Sequence, residues 1–198
     1  TTDYLDDMGG TSASAPMVAG VIALMLEANS DLSWRDIQHI LVRTSKKVDS
    51  SDEGWFKTYE GRDYNHKYGY GLIDATSAVN LAKEWQNVSS EVDFTGVNYN
   101  AGAVDVNQFI FDGNDLGRTS QVFVNESMNI ETVEVKVNIS HAFRGDLNLF
   151  LESPNGIVSE LVMQSNDNND NYDGWIFSSV VHWDENSFGM WKLKVNDT

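Results

Sequence analysis

The sequence predicts a chain in two parts of different structural class, a helix-rich part followed by an all-β part. Apolar residues recur at helical spacing up to about residue 88, and they alternate with polar residues from about residue 131. Between these patterns lies a stretch rich in Ser, Gly, Asn and Ala. We therefore predict domains at residues 1–88 and 105–198, joined by a linker over residues 89–104.

The first predicted helix follows a serine near the start of the chain. Apolar and small residues run from Met17 to Ala28, with few polar side chains on any face. A helix that is apolar nearly all round belongs in a protein core, so this one is predicted to be buried. The strictly apolar stretch Met17–Leu26 is too short to span a bilayer, so we expect no membrane segment.

Two further helices carry recognisable capping residues. Ser33 is followed three residues later by Asp36, a capping box that predicts a helix from Trp34 to Thr44. After the glycine-rich string YGYGLID, Asp74 is placed to cap a last helix that reaches Trp85.

The second part changes to the period of β-strands. Alternating or short apolar segments separated by turn residues such as SPNG indicate an antiparallel sandwich or barrel. The predicted strands are Glu131–Ile139, Asp146–Leu151, Ile157–Met163, Trp175–Val181 and Met190–Val195.

The charge of the chain restricts its partners. The formal net charge is −17, divided as −5 over residues 1–88 and −12 over residues 89–198. Such a surface repels nucleic acid and anionic membranes, so neither is an expected partner. The absence of cysteine excludes disulfides and thiolate metal sites.

The string GTSASAPMVAG, residues 10–20, points to a nucleophilic serine. Gly10 allows another backbone to approach closely, and Ser12 stands where a helix begins. The free N–H groups and the dipole of a helix N-terminus favour developing negative charge. We expect Pro16 to lie in the first helical turn, where its missing N–H has no cost.

Several strings together resemble the kexin/furin branch of the subtilisin-like serine proteases, the proprotein convertases. The resemblance covers nearly the whole chain and rests on GTSASAP, LEAN, LSWRDIQH and YGYGLIDA in the first part and HAFRGDLNLFLESPNG and DGWIFSSVVHWDENSFGMWKLKV in the second. It implies an α/β fold class for the first part, the C-terminal remnant of a subtilisin-like domain. The second part then resembles the P-domain, a jelly-roll-like all-β sandwich.

The sequence departs from this family in what precedes the serine. A subtilisin-type triad runs Asp, His, Ser along the chain, but no histidine precedes Ser12, and Asp3, Asp6 and Asp7 lie too close to it. The four histidines all follow the serine. The resemblance therefore implies that the triad acid, base and oxyanion asparagine belong to an upstream part of the same catalytic domain, which is then a partner of this chain.

The function implied by the resemblance is that of a secreted or secretory-pathway serine endopeptidase. It would cleave precursor proteins after basic residues with Ser12 as nucleophile, whereas this chain alone would be inactive. The alternative is a non-catalytic binding or scaffold module, made from a truncated gene and using the P-domain.

Calcium is the cofactor that the resemblance implies, with its main sites expected upstream. Within this chain the loop NDNNDNYD offers Asp167, Asp170 and Asp173 as oxygen ligands. The same composition is ordinary in turns, so both interpretations stand.

Overall fold

The computed structural model describes residues 9–92, 107 and 109–198. Helices dominate the first part of the chain and antiparallel strands the second, which confirms the predicted fold class. The chain forms two compact units: the first contains the chain up to Trp55 and Asp63–Val92, the second Phe56–Arg62 and the chain after Val92. Most of the predicted linker, from residue 93 onwards, lies outside the described residues, and the linker stays a prediction.

The first unit is built on three helices. They are α1 (Thr11–Ala28), α2 (Trp34–Thr44) and α3 (Ala75–Glu84), close to the predicted limits. Their contact buries one small cluster, which consists of Met25, Leu32, Ile40, Ala78 and Ala82. The cluster is small because α3 contributes mainly alanines, which allow helices to approach closely.

The prediction that α1 is a buried helix is wrong for the described residues. Met25 is its one buried residue, and Met17 and Leu24 are 65% and 49% exposed. One side of the helix packs on α3, and apart from Met25 its side chains are half-buried or exposed. With 18 residues, of which Glu27 alone is charged, α1 also meets the length and composition of a membrane span, which the shorter stretch Met17–Leu26 did not suggest. Core helices of soluble proteins meet the same criterion, so this is weak evidence.

The capping residues act as predicted. The Ser33 hydroxyl accepts from the N–H of Asp36, whose carboxylate accepts from the N–H of Ser33 at 2.7 Å, completing the capping box. At α3, the Asp74 carboxylate accepts from the N–H and hydroxyl of Ser77 and pairs with Lys46. The Lys46 ammonium and the two Ser77 donors hold the pKa of Asp74 well below its ordinary value.

The YGYGLID string passes close to the end of α2. Leu72 and Lys46 exchange two backbone hydrogen bonds of 2.8 and 2.9 Å. Gly71, which directly precedes Leu72, has a φ of 110°, and a Cβ there would overlap the Lys46 carbonyl oxygen. This approach requires glycine.

We expect Gly71→Ala to destabilise the first unit by about 2–4 kcal/mol, since strain at a positive φ adds to overlap with backbone. Gly69→Ala is the matched control, because Gly69 also has a positive φ, 58°, but a Cβ there meets nothing within 4 Å. Urea unfolding of the two variants measures the difference. Equal destabilisation would show that the Lys46 contact does not matter.

The second unit is a β-sandwich. Its strands are β3 (Asn114–Val124), β4 (Val133–Ile139), β5 (Leu147–Glu152), β6 (Val158–Val162), β7 (Tyr172–Ser179) and β8 (Gly189–Asp197). The larger sheet has the strand order β3–β8–β5–β6, and the smaller sheet pairs β4 with β7. Side chains from both sheets fill the core, namely Val137, Leu147, Leu149, Tyr172 and Val195. Two short strands, β1 (Phe56–Lys57) and β2 (Asp63–Tyr64), pair separately.

Three strands were not predicted, namely the two-residue strands β1 and β2 and the longer β3. β3 pairs along β8, but none of its residues is fully buried, its half-buried positions hold few strong β-formers, and Gly117 interrupts it. Gly117 has a φ of 61°, and a Cβ there would overlap the backbone of Val195. The ladder with β8, a tertiary contact, therefore fixes β3, because the local pattern is too weak.

Candidate active site

Ser12 is the second residue of α1 and is exposed. Gly10 precedes the helix with a φ of 90° and a ψ of 170°, which turns the chain sharply into α1, and its carbonyl accepts from the N–H of Ala13 at 3.0 Å. Among the described residues, no side chain caps this helix start. The hydroxyl of Ser12 therefore stands at the positive end of an 18-residue helix, open to solvent in the described part of the chain.

Pro16 does not lie in the first turn, as the sequence suggested. The helix begins at Thr11, so Pro16 is its sixth residue and lies inside it. Because proline has no N–H, the carbonyl of Ser12, four residues earlier, loses its usual helical donor. The first turn around Ser12 thus combines N–H groups that have no intrahelical acceptor with a carbonyl that lacks its usual helical donor.

The N–H of Ser12 is suited to act as an oxyanion donor. It belongs to the first helical turn, whose N–H groups have no acceptor inside the helix. A donor fixed by a helix needs no reorganisation when negative charge develops on a nearby oxygen. The site can therefore supply a nucleophilic oxygen and one oxyanion donor from the same residue.

Each histidine has contacts away from Ser12. His39 is 5% exposed and stacks on Trp85 at 6.1 Å. His66 is exposed and packs its ring edge against Tyr64.

The other two histidines lie in the β unit. His141 bonds the Asp197 carboxylate through Nε2 at 3.0 Å. His182 Nδ1 lies 3.0 Å from Glu185 Oε2, and both side chains are fully buried. These two carboxylate–histidine pairs were not predicted. The spacing of His182 and Glu185 in VHWDE was the available signal, since a buried histidine usually needs a carboxylate or carbonyl partner.

The three aspartates proposed as calcium ligands lie at different positions and have different hydrogen-bond partners. Asp167 accepts from Arg144 Nε at 2.8 Å and from the N–H of Asn169, and these donors lower its pKa, the Asn169 N–H most. Asp170 bonds the side chain of its neighbour Asn171, and Asp173 lies on β7. Throughout residues 9–92 and 109–198 no three His, Asp or Glu side chains are grouped to hold a metal ion.

Arg144 organises the loop that carries these aspartates, which the sequence did not indicate. Its guanidinium lies over Trp175 at 4.6 Å while its Nε bonds Asp167. Next to it, Gly145 exchanges backbone hydrogen bonds with Asp167 and Ser165. A Cβ at Gly145 would lie 2.5 Å from the Asp167 carbonyl oxygen, so only glycine fits. The acidic loop is therefore held by an arginine and by backbone contacts.

Comparisons with known protein families match both parts of the chain. Residues 1–71 match the subtilase family, and residues 130–198 match the proprotein convertase P-domain. The Ser12 helix start lies within the first of these matches, and the strands from β4 onwards lie within the second.

Individual relatives match nearly the whole length of the chain. A PC3-like endoprotease (variant B) of Hydra vulgaris is 35% identical over 97% of this chain and 27% of its own length. A dibasic-processing endoprotease of Yarrowia lipolytica is 36% identical over 96% and 20%. The human proprotein convertase subtilisin/kexin type 6 is 36% identical over 97% and 20%. The chain thus spans about a quarter or less of the length of these relatives.

A solved structure has the same fold. The serine protease of Aeromonas sobria superposes with a TM-score of 0.79 at 25% identity, covering 96% of this chain and 37% of its own. The same protease has also been solved in complex with a chaperone, with a TM-score of 0.80.

Proposed function

Because the chain belongs to the kexin/furin branch of the subtilisin-like serine proteases, as the C-terminal part of the peptidase domain followed by a P-domain, we propose that it supplies the catalytic serine of a precursor-cleaving endopeptidase. The observation that carries this proposal is the place of Ser12. It follows a left-handed glycine in the first turn of an exposed helix start, inside the segment that matches the subtilase family.

In this proposal Ser12 attacks the carbonyl carbon of the scissile peptide bond. Its hydroxyl proton passes to a histidine of the upstream part of the peptidase domain, and then to the leaving amine. The N–H of Ser12 donates to the oxyanion of the tetrahedral intermediate, and an upstream asparagine gives the second donor. The acyl-enzyme is then hydrolysed by water.

The substrate proposed is a protein cleaved after basic residues. The support comes from the relatives, one of which is named a dibasic-processing endoprotease. The test compares fluorogenic peptides that end in Lys-Arg and Lys-Ala before the reporter group, using the intact protease. We expect strong preference for Lys-Arg. Equal cleavage of both peptides would overturn the specificity but not the role of Ser12.

The first partner in this proposal is the upstream part of the same peptidase domain. The exposed apolar surface of α1, with Met17 and Leu24, needs cover in a soluble protein. We propose that upstream strands and helices provide it. The P-domain then supports the stability of the peptidase domain, since aromatic side chains on its surface, such as Phe143 and Phe188 at 52% and 53% exposed, are available for an interface.

Deletion of residues 92–198 from the intact protease is expected to lower both folded yield and melting temperature. The physical reason is the loss of a folded neighbour that stabilises the peptidase domain. Yield and melting temperature are measured with and without the deletion. If both stay unchanged while KM rises, the P-domain binds substrate instead.

Calcium and a secretory location complete the proposal. Asp167, Asp170 and Asp173 remain the candidate ligands in this chain, although Asp167 already pairs with Arg144. Melting the chain with calcium and with EGTA tests the cofactor. We expect calcium to raise the melting temperature, and Asp170→Asn to reduce that rise if this loop binds the ion. A rise that is unchanged in Asp170→Asn would exclude Asp170 as a ligand.

A further inference from the structure

The β unit contains a piece of chain that is distant from it in sequence. The segment Phe56–Arg62 groups with the P-domain strands, although the family match places it in the subtilase region. The unit is therefore discontinuous in sequence. If the chain were divided into two fragments at the linker, this segment would be on a different fragment from the strands with which it groups.

The segment is a tight turn that presents an arginine. Thr58 donates its N–H to the carbonyl of Arg62 at 2.9 Å, and Gly61 donates to Thr58, also at 2.9 Å. Gly61 closes the turn with a φ of 74°. The Thr58 side chain is 4% exposed, so the turn is packed rather than solvated.

The arginine meets an aspartate of the P-domain. Arg62 Nη2 lies 2.7 Å from Asp184 Oδ2, and the two side chains are only 21% and 13% exposed. Arg62 Nη1 is buried without an acceptor among the described residues. Removing the Asp184 carboxylate would leave the guanidinium buried with still fewer acceptors, which is much more costly than loss of a surface pair.

The P-domain holds Asp184 in a fixed conformation. Asp184 has a φ of 64°, and its N–H donates to the carbonyl of Ile130 at 2.7 Å. The adjacent Glu185 bonds Ile130 through its own backbone carbonyl and, by its buried side chain, bonds His182 and Asn155. The backbone of Asp184 is thus held by contacts within the P-domain in addition to the pair with Arg62.

We propose that Asp184 is the receptor of a docking site on the P-domain, and that its ligand is the Thr58–Arg62 turn of the same chain. The turn is then an integral part of the P-domain fold. The site recognises a guanidinium that a tight turn presents. The carboxylate that binds it belongs to Asp184, whose backbone has a positive φ.

Hydrogen exchange of the full chain, followed by mass spectrometry, tests this proposal. In the wild type the amides of Thr58 and Gly61 should be protected, since local opening requires the Arg62–Asp184 pair to break. Asp184→Asn keeps a side chain that tolerates the positive φ but removes the charge, and Arg62→Gln removes the partner from the other side. Both should speed exchange of the turn about tenfold or more, while the β5–β8 ladder keeps its protection.

Glu152→Gln is the matched control, since it breaks a more exposed ion pair of similar length, Glu152–Lys192 at 2.8 Å with both side chains 38% exposed. It should leave exchange of the turn unchanged. The proposal is overturned if the wild-type turn exchanges like a free loop, if only one of the two turn variants has an effect, or if Glu152→Gln has the same effect.

Discussion

Ser12→Ala in the intact protease should lower kcat by roughly six orders of magnitude, as loss of the serine does in subtilisin-type triads. Without the hydroxyl oxygen no acyl-enzyme forms, and the remaining oxyanion donors give only residual catalysis. Cleavage of a Lys-Arg fluorogenic peptide measures the loss. KM should change little, because the side chain is small and substrate binding uses other surfaces.

Ser14→Ala is the matched control for this variant. Ser14 is an exposed serine two residues later on the same helix. It should keep activity within a small factor of the wild type. A large loss of activity in Ser14→Ala together with a small loss in Ser12→Ala would show that Ser14, and not Ser12, is the nucleophile.

Asp36→Ala should destabilise the first unit by about 2–4 kcal/mol, since buried donors lose their acceptor. The Asp36 carboxylate is fully buried and accepts from the Trp85 indole N–H and the Val88 N–H, both at 2.8 Å, as well as from Ser33. It therefore ties the start of α2 to the chain that leaves α3. Ser33→Ala removes only the cap and should cost about 1 kcal/mol.

The same carboxylate gives a pH dependence. Burial, the largest single influence, would raise the pKa of Asp36, but the hydrogen bonds from Ser33, Val88 and Trp85 together lower it from 3.8 to about 2. A carboxyl whose pKa is lower in the folded state stabilises the fold above its unfolded pKa and loses this contribution as the pH falls. About 2 kcal/mol should therefore be lost between pH 3.8 and pH 2.

Urea unfolding of the first unit at pH 7 and across this acid range measures both effects. The Asp36→Ala variant should lack the part of the pH dependence that Asp36 causes. If wild type and variant lose stability in parallel, Asp36 does not carry a lowered pKa. If Ser33→Ala and Asp36→Ala are equally unstable at pH 7, the bonds to Trp85 and Val88 contribute little.

Local sequence signals predicted the elements that depend on local chemistry. The capping box at Ser33 and the cap at Asp74 set helix starts within a residue of those observed. The alternation in β4 was strong enough to predict its buried face from Val133 to Ile139.

Tertiary contacts explain what the sequence did not predict. The third strand exists because β8 pairs with it, and the acceptor role of Asp36 depends on Trp85, 49 residues away. The exposure of α1 reflects the absence of covering elements in the described part of the chain, which its uniformly apolar composition did not reveal. At the candidate site, the sequence correctly placed Ser12 at a helix start but placed Pro16 in the wrong turn.

The central claim, that Ser12 is the nucleophile of a subtilisin-like endopeptidase, is tested most directly by mapping a covalent adduct. The intact protease is treated with a fluorophosphonate, digested, and analysed by tandem mass spectrometry. The account predicts a single adduct on the Ser12 oxygen, formed in the folded enzyme and absent after prior denaturation. An active enzyme that carries its adduct on another residue, with Ser12 unmodified, would contradict it.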